Sequence, residues 1–359
     1  MSALDILYFV FGLVALVAGA ELLVRGASRL ALSVGVSPLV VGLTIVAYGT
    51  SAPEVAVSVG GALGGQSDIA VGNVVGSNIF NILFILGVSS LIRPLLVHRQ
   101  IIRQEIPIMI GSAILCILFS ADGAIQPYEA AVLLVLLIAY TVYLIRQSRA
   151  ETKANAGADD LPAPTSQWDR HWSVQVGLIL AGLALLVLGS NLLVEAASTI
   201  ARAFGVSDLV IGLTIVAAGT SLPEVATSIT AAIRGQRDIA VGNVIGSNTF
   251  NIFGGLGASG VVTSTGLTVA PSMLGFDLWF MLAVCVATLP VFIPGREITR
   301  WNGALLLFYY VAYTTYLVLN ASGSDALPAF TWLMLSVIGP LTVITIVADF
   351  LRPRPALSA

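Results

Sequence analysis

Charge is what this sequence has least of. Only 10% of its 359 residues are Asp, Glu, Lys or Arg, where a soluble domain carries about a quarter. With 57% hydrophobic residues and a mean hydropathy of +0.97, an ordinary soluble fold is excluded and a polytopic membrane protein is indicated. The net charge of −3 and the lack of a basic tract leave nothing to attract nucleic acid. Histidine is scarce too: His98 and His171 both fall in charged loops, so no buried imidazole is on hand for catalysis. The two cysteines, Cys116 and Cys285, lie in apolar runs far apart and read as small core hydrophobes, not as a disulfide or metal pair. No positive charge precedes the first apolar stretch, which reads as a span rather than a cleaved signal peptide.

What the sequence does have is one stretch written twice. Gly42–Glu54 reads GLTIVAYGTSAPE and Gly212–Glu224 reads GLTIVAAGTSLPE. At the same offset of 170 residues, Gln66–Asn81 reads QSDIAVGNVVGSNIFN and Gln236–Asn251 reads QRDIAVGNVIGSNTFN.

Crossing the hydrocarbon takes about 20 apolar residues. That length predicts spans at Ile6–Leu23, Leu39–Leu63, Ile69–Leu91, Ile106–Phe119 and Tyr128–Ile145. A polar, flexible linker, Arg146–His171, follows. Then come Val174–Val194, Leu209–Ile233, Ile239–Val262, Met273–Ile293 and Trp301–Leu319, with an eleventh candidate at Phe330–Phe350. The shortest of these, Ile106–Phe119, is expected to extend at one end. Arginine and lysine collect in every second connection, Arg202 being the exception, which places the N-terminus outside and the C-terminus in the cytoplasm.

Five spans is an odd number, so a second copy of the unit enters the membrane upside down. The loop charges reverse accordingly: Arg25 and Arg29 become Glu195 and Thr199, while Gly64 and Ser67 become Arg234 and Arg237. The expected fold is therefore all-α: two inverted five-helix repeats (ten spans) plus an eleventh C-terminal span. Residues 1–145 form the first repeat, with its motif at 42–81, and 146–172 the cytoplasmic linker. Residues 173–320 form the second repeat, with its motif at 212–251, and 321–359 the extra span and tail. Inverted repeats with matching polar interruptions point to a secondary transporter whose site lies between the halves.

Glu54 and Glu224 lie well inside predicted spans, where an ionised carboxylate costs about 2.5–3.5 kcal/mol even on a lenient scale. One such glutamate could merely tie helices together; two, in the same thirteen-residue context, favour function. Pro53 and Pro223 lack a backbone donor and disfavour helix just before them, so each span breaks at GTSxP. The break frees carbonyls around Ala47, Thr50, Ala217 and Thr220, and the hydroxyls of Thr50, Ser51, Thr220 and Ser221 lie within a turn of the acids. A site made only of oxygens selects hard cations such as Ca²⁺, Na⁺ and Mg²⁺ over zinc or copper.

In the second motif, Asn73, Ser77 and Asn81 form one helix stripe, repeated by Asn243, Ser247 and Asn251. Inter-helix hydrogen bonding is the plain reading of such residues and is sufficient for Asn78 and Asn248, which sit off the stripe. Ser77, Asn81, Ser247 and Asn251 are placed in or beside the cation site. The glycines at 72, 76, 242 and 246 read as close-packing positions. Glu21 has Asn191 as its counterpart and stands outside the symmetric site; Asp68 and Asp238 suit helix N-termini. Asp277 has no counterpart motif and no assigned role.

The duplicated GTSxPE and GNxxGSNxFN motifs resemble the alpha repeats of the sodium/calcium exchanger branch of the cation/calcium antiporter superfamily, over nearly the whole chain apart from the eleventh span. The resemblance implies a Na⁺/Ca²⁺ antiporter, a transporter and not an enzyme, without cofactor or obligate protein partner. Its cargo would be Ca²⁺ and Na⁺, its seat the bilayer of a prokaryotic inner membrane. It implies Glu54 and Glu224 as shared Ca²⁺ and Na⁺ ligands, further oxygens from Thr50, Ser51, Ser77, Thr220, Ser221 and Ser247, and carbonyls from Ala47 and Ala217. Asparagine at both 81 and 251, where some relatives carry Asp, argues against potassium coupling. Proton-coupled relatives carry an acid beside the GN motif, where Val74 and Val244 stand here. Two protons would still neutralise two carboxylates, so an H⁺/Ca²⁺ (or other divalent cation) antiporter is the nearest alternative. A hydrolase built on Ser51 or Ser221 lacks a neighbouring base, and a passive channel would use the glutamates as a selectivity ring.

Overall fold

The computed structural model describes residues 3–155, 171–204 and 217–351. Most of the linker, the start of the predicted span Leu209–Ile233, and Arg352 and Arg354 lie outside the described residues. The fold is almost wholly helical. Helix α1 is Ala3–Val34. The next span is a bent pair, α2 (Pro38–Thr50) and α3 (Ala52–Leu63), angled by 45°. Then follow α4 (Ser67–Ile92), α5 (Ile101–Ser120) and α6 (Pro127–Asn155). The second half has α7 (Trp172–Ala203), the short turn α8 (Ala217–Gly219) and α9 (Leu222–Ile233). Next come α10 (237–261), α11 (Met273–Phe292), α12 (Arg300–Ala321) and α13, apolar and long enough to cross over Leu327–Thr345.

Among the described residues eight helices are long and apolar enough to cross a membrane, nine if the bent pair is one span. Helix α10 is not one of them, being rich in Asn, Ser and Gly. The helix predicted at Ile106–Phe119 begins at Ile101 through a π-helical turn that ends on Glu105, so this acid lies inside the span. The linker also starts later than the sequence suggests: α6 runs ten residues past Ile145, because RQSRAETKAN holds no Gly or Pro to stop it.

Corresponding segments of the two halves meet reciprocally. Gly12 lies against Gly189, Gly19 against Gly182 and Gly26 against Gln175, so α1 and α7 run antiparallel. A Cβ at Gly19 or Gly182 would come within 2.8 Å of the facing backbone, and the seam admits only glycine there. Two short strand pairs repeat the pattern. Strand β1 (Leu95–Leu96) pairs with β4 (Glu297–Ile298), and β2 (Ala124–Ile125) pairs with β3 (Leu267–Thr268), all antiparallel. Since β3 corresponds to β1 and β4 to β2 in sequence order, each half completes the other's two-stranded sheet. The core where α3, α4, α9 and α10 converge is where the duplicated motifs lie.

The acid left unassigned in the sequence gains a counterpart here. Asp277 ends the π-helical turn that opens α11, as Glu105 ends the one that opens α5. Tyr140 donates to Glu105 (2.6 Å) and Tyr313 to Asp277 (2.9 Å). The repeat spacing here is 172 residues instead of 170, which hid the match from motif comparison. Both pairs tie neighbouring helices together.

Candidate cation site between the two halves

The predicted breaks fall at Ser51, between α2 and α3, and at Ser221, between α8 and α9. Each following helix starts with proline in its first turn, where a missing N–H costs nothing, and carries its glutamate one residue later. Proline withdraws the donor from the carbonyl four residues back, Gly49 or Gly219. At Gly219 the hydroxyl of Ser190 on α7 takes the donor's place. This corrects the expectation for Ala47: its carbonyl is not freed but accepts the Ser51 N–H (3.0 Å), with the Thr50 hydroxyl at 3.3 Å. It nevertheless faces the cluster, because Ser247 from the other half donates to it at 3.5 Å. Ala217 opens α8 at the position equivalent to Ala47.

Each glutamate is held by the other half's serine. Ser51 donates to Glu224 Oε1 and Ser221 to Glu54 Oε1, both at 2.8 Å. Both acids are buried, and Ser221 also reaches Ser77 (3.3 Å). The threonines cross over as well: Thr50 donates to Asn243 (3.1 Å) and Thr220 to Asn73 (3.5 Å). One turn along α4 and α10, Asn81 donates to Asn248 (3.0 Å) and Asn251 to Asn78 (3.2 Å). The chain thus brings Glu54, Glu224, Thr50, Thr220, Ser51, Ser221, Ser77, Ser247, Asn81 and Asn251 into one buried region that neither half forms alone.

Motif reading singled out the stripe but missed what Asn73 and Asn243 do. Asn73 donates to the Glu54 carbonyl and to Ser58, both at 3.0 Å. Asn243 donates to the Glu224 carbonyl (3.5 Å) and to Ser228 (2.9 Å). These amides fasten the glutamate-bearing helix to its partner while holding the opposite threonine. The duplicated Ser at 58 and 228 was the available signal.

Four buried oxygens of the cluster have no hydrogen-bond partner: Glu54 Oε2, Glu224 Oε2, Asn81 Oδ1 and Asn251 Oδ1. A buried acceptor without a donor is costly unless something positive comes to it. No group of three or more His, Cys, Asp or Glu able to hold a metal occurs among the described residues. Two carboxylates among neutral oxygens suit a hard cation. Ser51 and Ser221 have carboxylates beside them, while His98 and His171 are exposed elsewhere.

The family profile described as sodium/calcium exchanger protein matches residues 4–146 and 174–319. The chain belongs to that family. It is 41% identical over 317 residues to CaxA of Alkalimonas amylolytica, covering 86% of this chain and 96% of that one. It is 34% identical over 345 residues to the sodium/calcium exchanger MaX1 of Methanosarcina acetivorans, covering 87% and 98%. A solved structure of the sodium-calcium exchanger NCX_Mj superposes with a TM-score of 0.75 at 30% identity, covering 88% of this chain and all of that one. Family membership makes the chain a cation antiporter of the membrane, a transporter in class.

Proposed function

We propose that this protein exchanges Na⁺ for Ca²⁺ by alternating access, with Glu54 and Glu224 as the shared charge of one site between two inverted five-helix repeats. The observation that carries the reading is the set of four partnerless buried oxygens, two from each half, in a cluster closed by cross-half hydroxyls. Thr50, Ser51, Ser77, Thr220, Ser221, Ser247, Asn81 and Asn251 supply neutral oxygens, and Ala47 and Ala217 supply carbonyls.

When ionised, the two acids give the site about −2. Burying each unpaired ion costs several kcal/mol, so an empty, doubly ionised site resists occlusion. One Ca²⁺ cancels that charge, as do two or more Na⁺. Loaded forms can therefore reorient and the bare form cannot, which makes the carrier an exchanger and not a leak. The all-oxygen donor set suits these hard cations. The alternating loop charges support an N-terminus outside and a cytoplasmic C-terminus, the length and hydropathy of α13 support an eleventh span, and relatives such as CaxA and MaX1 support a seat in a prokaryotic inner membrane.

The test is labelled-calcium flux in proteoliposomes under an imposed sodium, potassium or pH gradient. A sodium gradient is expected to drive calcium movement that stops when no counter-ion is present on the opposite side. Movement driven by pH alone, with sodium inert, would replace this reading with proton/calcium exchange.

A further inference from the structure

Asn78 and Asn248 sit off the helix stripe that bears the site, yet they are fully buried at its centre. Each side-chain amide donates to the other's backbone carbonyl, Asn78 to Asn248 O at 3.3 Å and Asn248 to Asn78 O at 3.2 Å. The same Nδ2 atoms reach the sulfurs of Met281 (3.6 Å) and Met109 (3.7 Å). Neither amide can turn over: its oxygen would then face a carbonyl and a thioether, both acceptors. Their Oδ1 atoms are therefore fixed outward, and they accept Asn251 Nδ2 and Asn81 Nδ2.

The consequence falls on Asn81 and Asn251. An asparagine side chain has an oxygen end that attracts a cation and an NH₂ end that repels it, and the two ends have nearly the same shape. In this cluster the NH₂ ends are taken, and both Oδ1 atoms are left buried without a donor. We propose that Asn78 and Asn248 are positioning residues: a clasp across the two halves that aims the carbonyl ends of Asn81 and Asn251 at the transported cation. This rests on the reading of Asn81 and Asn251 as cation ligands. It explains how two neutral amides, in place of acids, serve a cation site without adding to its charge.

A double-mutant cycle on calcium binding to the purified full-length protein tests the clasp. Asn248→Leu removes the acceptor that holds Asn81, so the freed amide can turn its NH₂ toward the ion. The half-saturating Ca²⁺ concentration is expected to rise by about tenfold or more, and further than in Asn81→Ala, which only deletes a ligand. Adding Asn81→Ala to Asn248→Leu should return affinity to the Asn81→Ala value, because the misdirected group is gone. A packing role predicts the opposite, a double variant weaker than either single one, and that result overturns the proposal. Asn78→Leu with Asn251→Ala runs the same cycle from the other half if the first pair does not insert. Failure of both leucine variants to insert would mark these amides as assembly contacts and also overturn it. Glu54→Gln measured alongside separates the two levels: retained calcium binding there defeats the site itself, whereas an additive asparagine cycle defeats only the clasp.

Discussion

The two halves of this molecule agree in the polar groups they bury together and differ in how their helix breaks are anchored. Glu, Ser, Thr and Asn of the site occur in both halves and bond across to each other. Around the breaks the likeness ends. Tyr48 stacks on Phe250 (4.3 Å) and bonds Thr141 (2.7 Å), anchoring the first break to α6; its counterpart is Ala218. Ser190 satisfies the Gly219 carbonyl, while the residue equivalent to Ser190 is Ala20. Glu21 bonds Arg234 at 2.5 Å, and their counterparts are Asn191 and Gly64. On the proposed reading both halves face the same ion, so the groups that touch it stay matched. The surroundings differ because the two breaks pack against different neighbours.

The largest effect tests that equivalence. Glu54→Gln and Glu224→Gln are each expected to abolish calcium exchange while leaving the protein in the membrane, because one remaining carboxylate cannot balance a divalent ion in the bundle core. Flux at the native level in either variant would show that the halves are not partners in one site. Next comes the seam between α1 and α7, where Gly19→Leu forces side-chain atoms into a facing backbone. Overpacking of this kind costs about 1–3 kcal/mol or more, and the midpoint of thermal unfolding in detergent should fall clearly.

The unmatched contacts should matter less. Ser190→Ala strips the donor from a buried carbonyl at the second break and should cost about 1–3 kcal/mol in the same melt. Tyr48→Phe keeps the ring stack and loses one hydrogen bond, worth about 1 kcal/mol. An equal loss of flux in both variants would argue that the breaks act alike despite their different anchors. Glu21→Gln is expected to be smallest, at most about 1 kcal/mol, since the Glu21–Arg234 pair is partly exposed. Sensitivity of that loss to salt, read from unfolding midpoints, would identify it as electrostatic.

Much of this was legible in one dimension. Scarce charge and long apolar runs announce membrane helices, and proline after GTS announces the breaks, because backbone chemistry is local. The candidate site was legible through repetition: a buried acid is ambiguous once and informative twice. Less legible were Glu105 and Asp277, whose correspondence is shifted by two residues, and Asn78 and Asn248, whose partners lie 170 residues away. The extension of α6 to Asn155 was missed because hydropathy marks where a membrane span stops, not where its helix does.

The sequence by itself determined most of the helices, the interruptions at GTSxP and the burial of the motifs' polar residues, since each follows from solubility and backbone geometry near the residue concerned. Only the tertiary structure decided who faces whom. Ser51 with Glu224, Ser221 with Glu54, and the asparagine clasp across the halves all join residues more than 160 positions apart. Such pairings depend on how the two halves dock, and no local propensity encodes that.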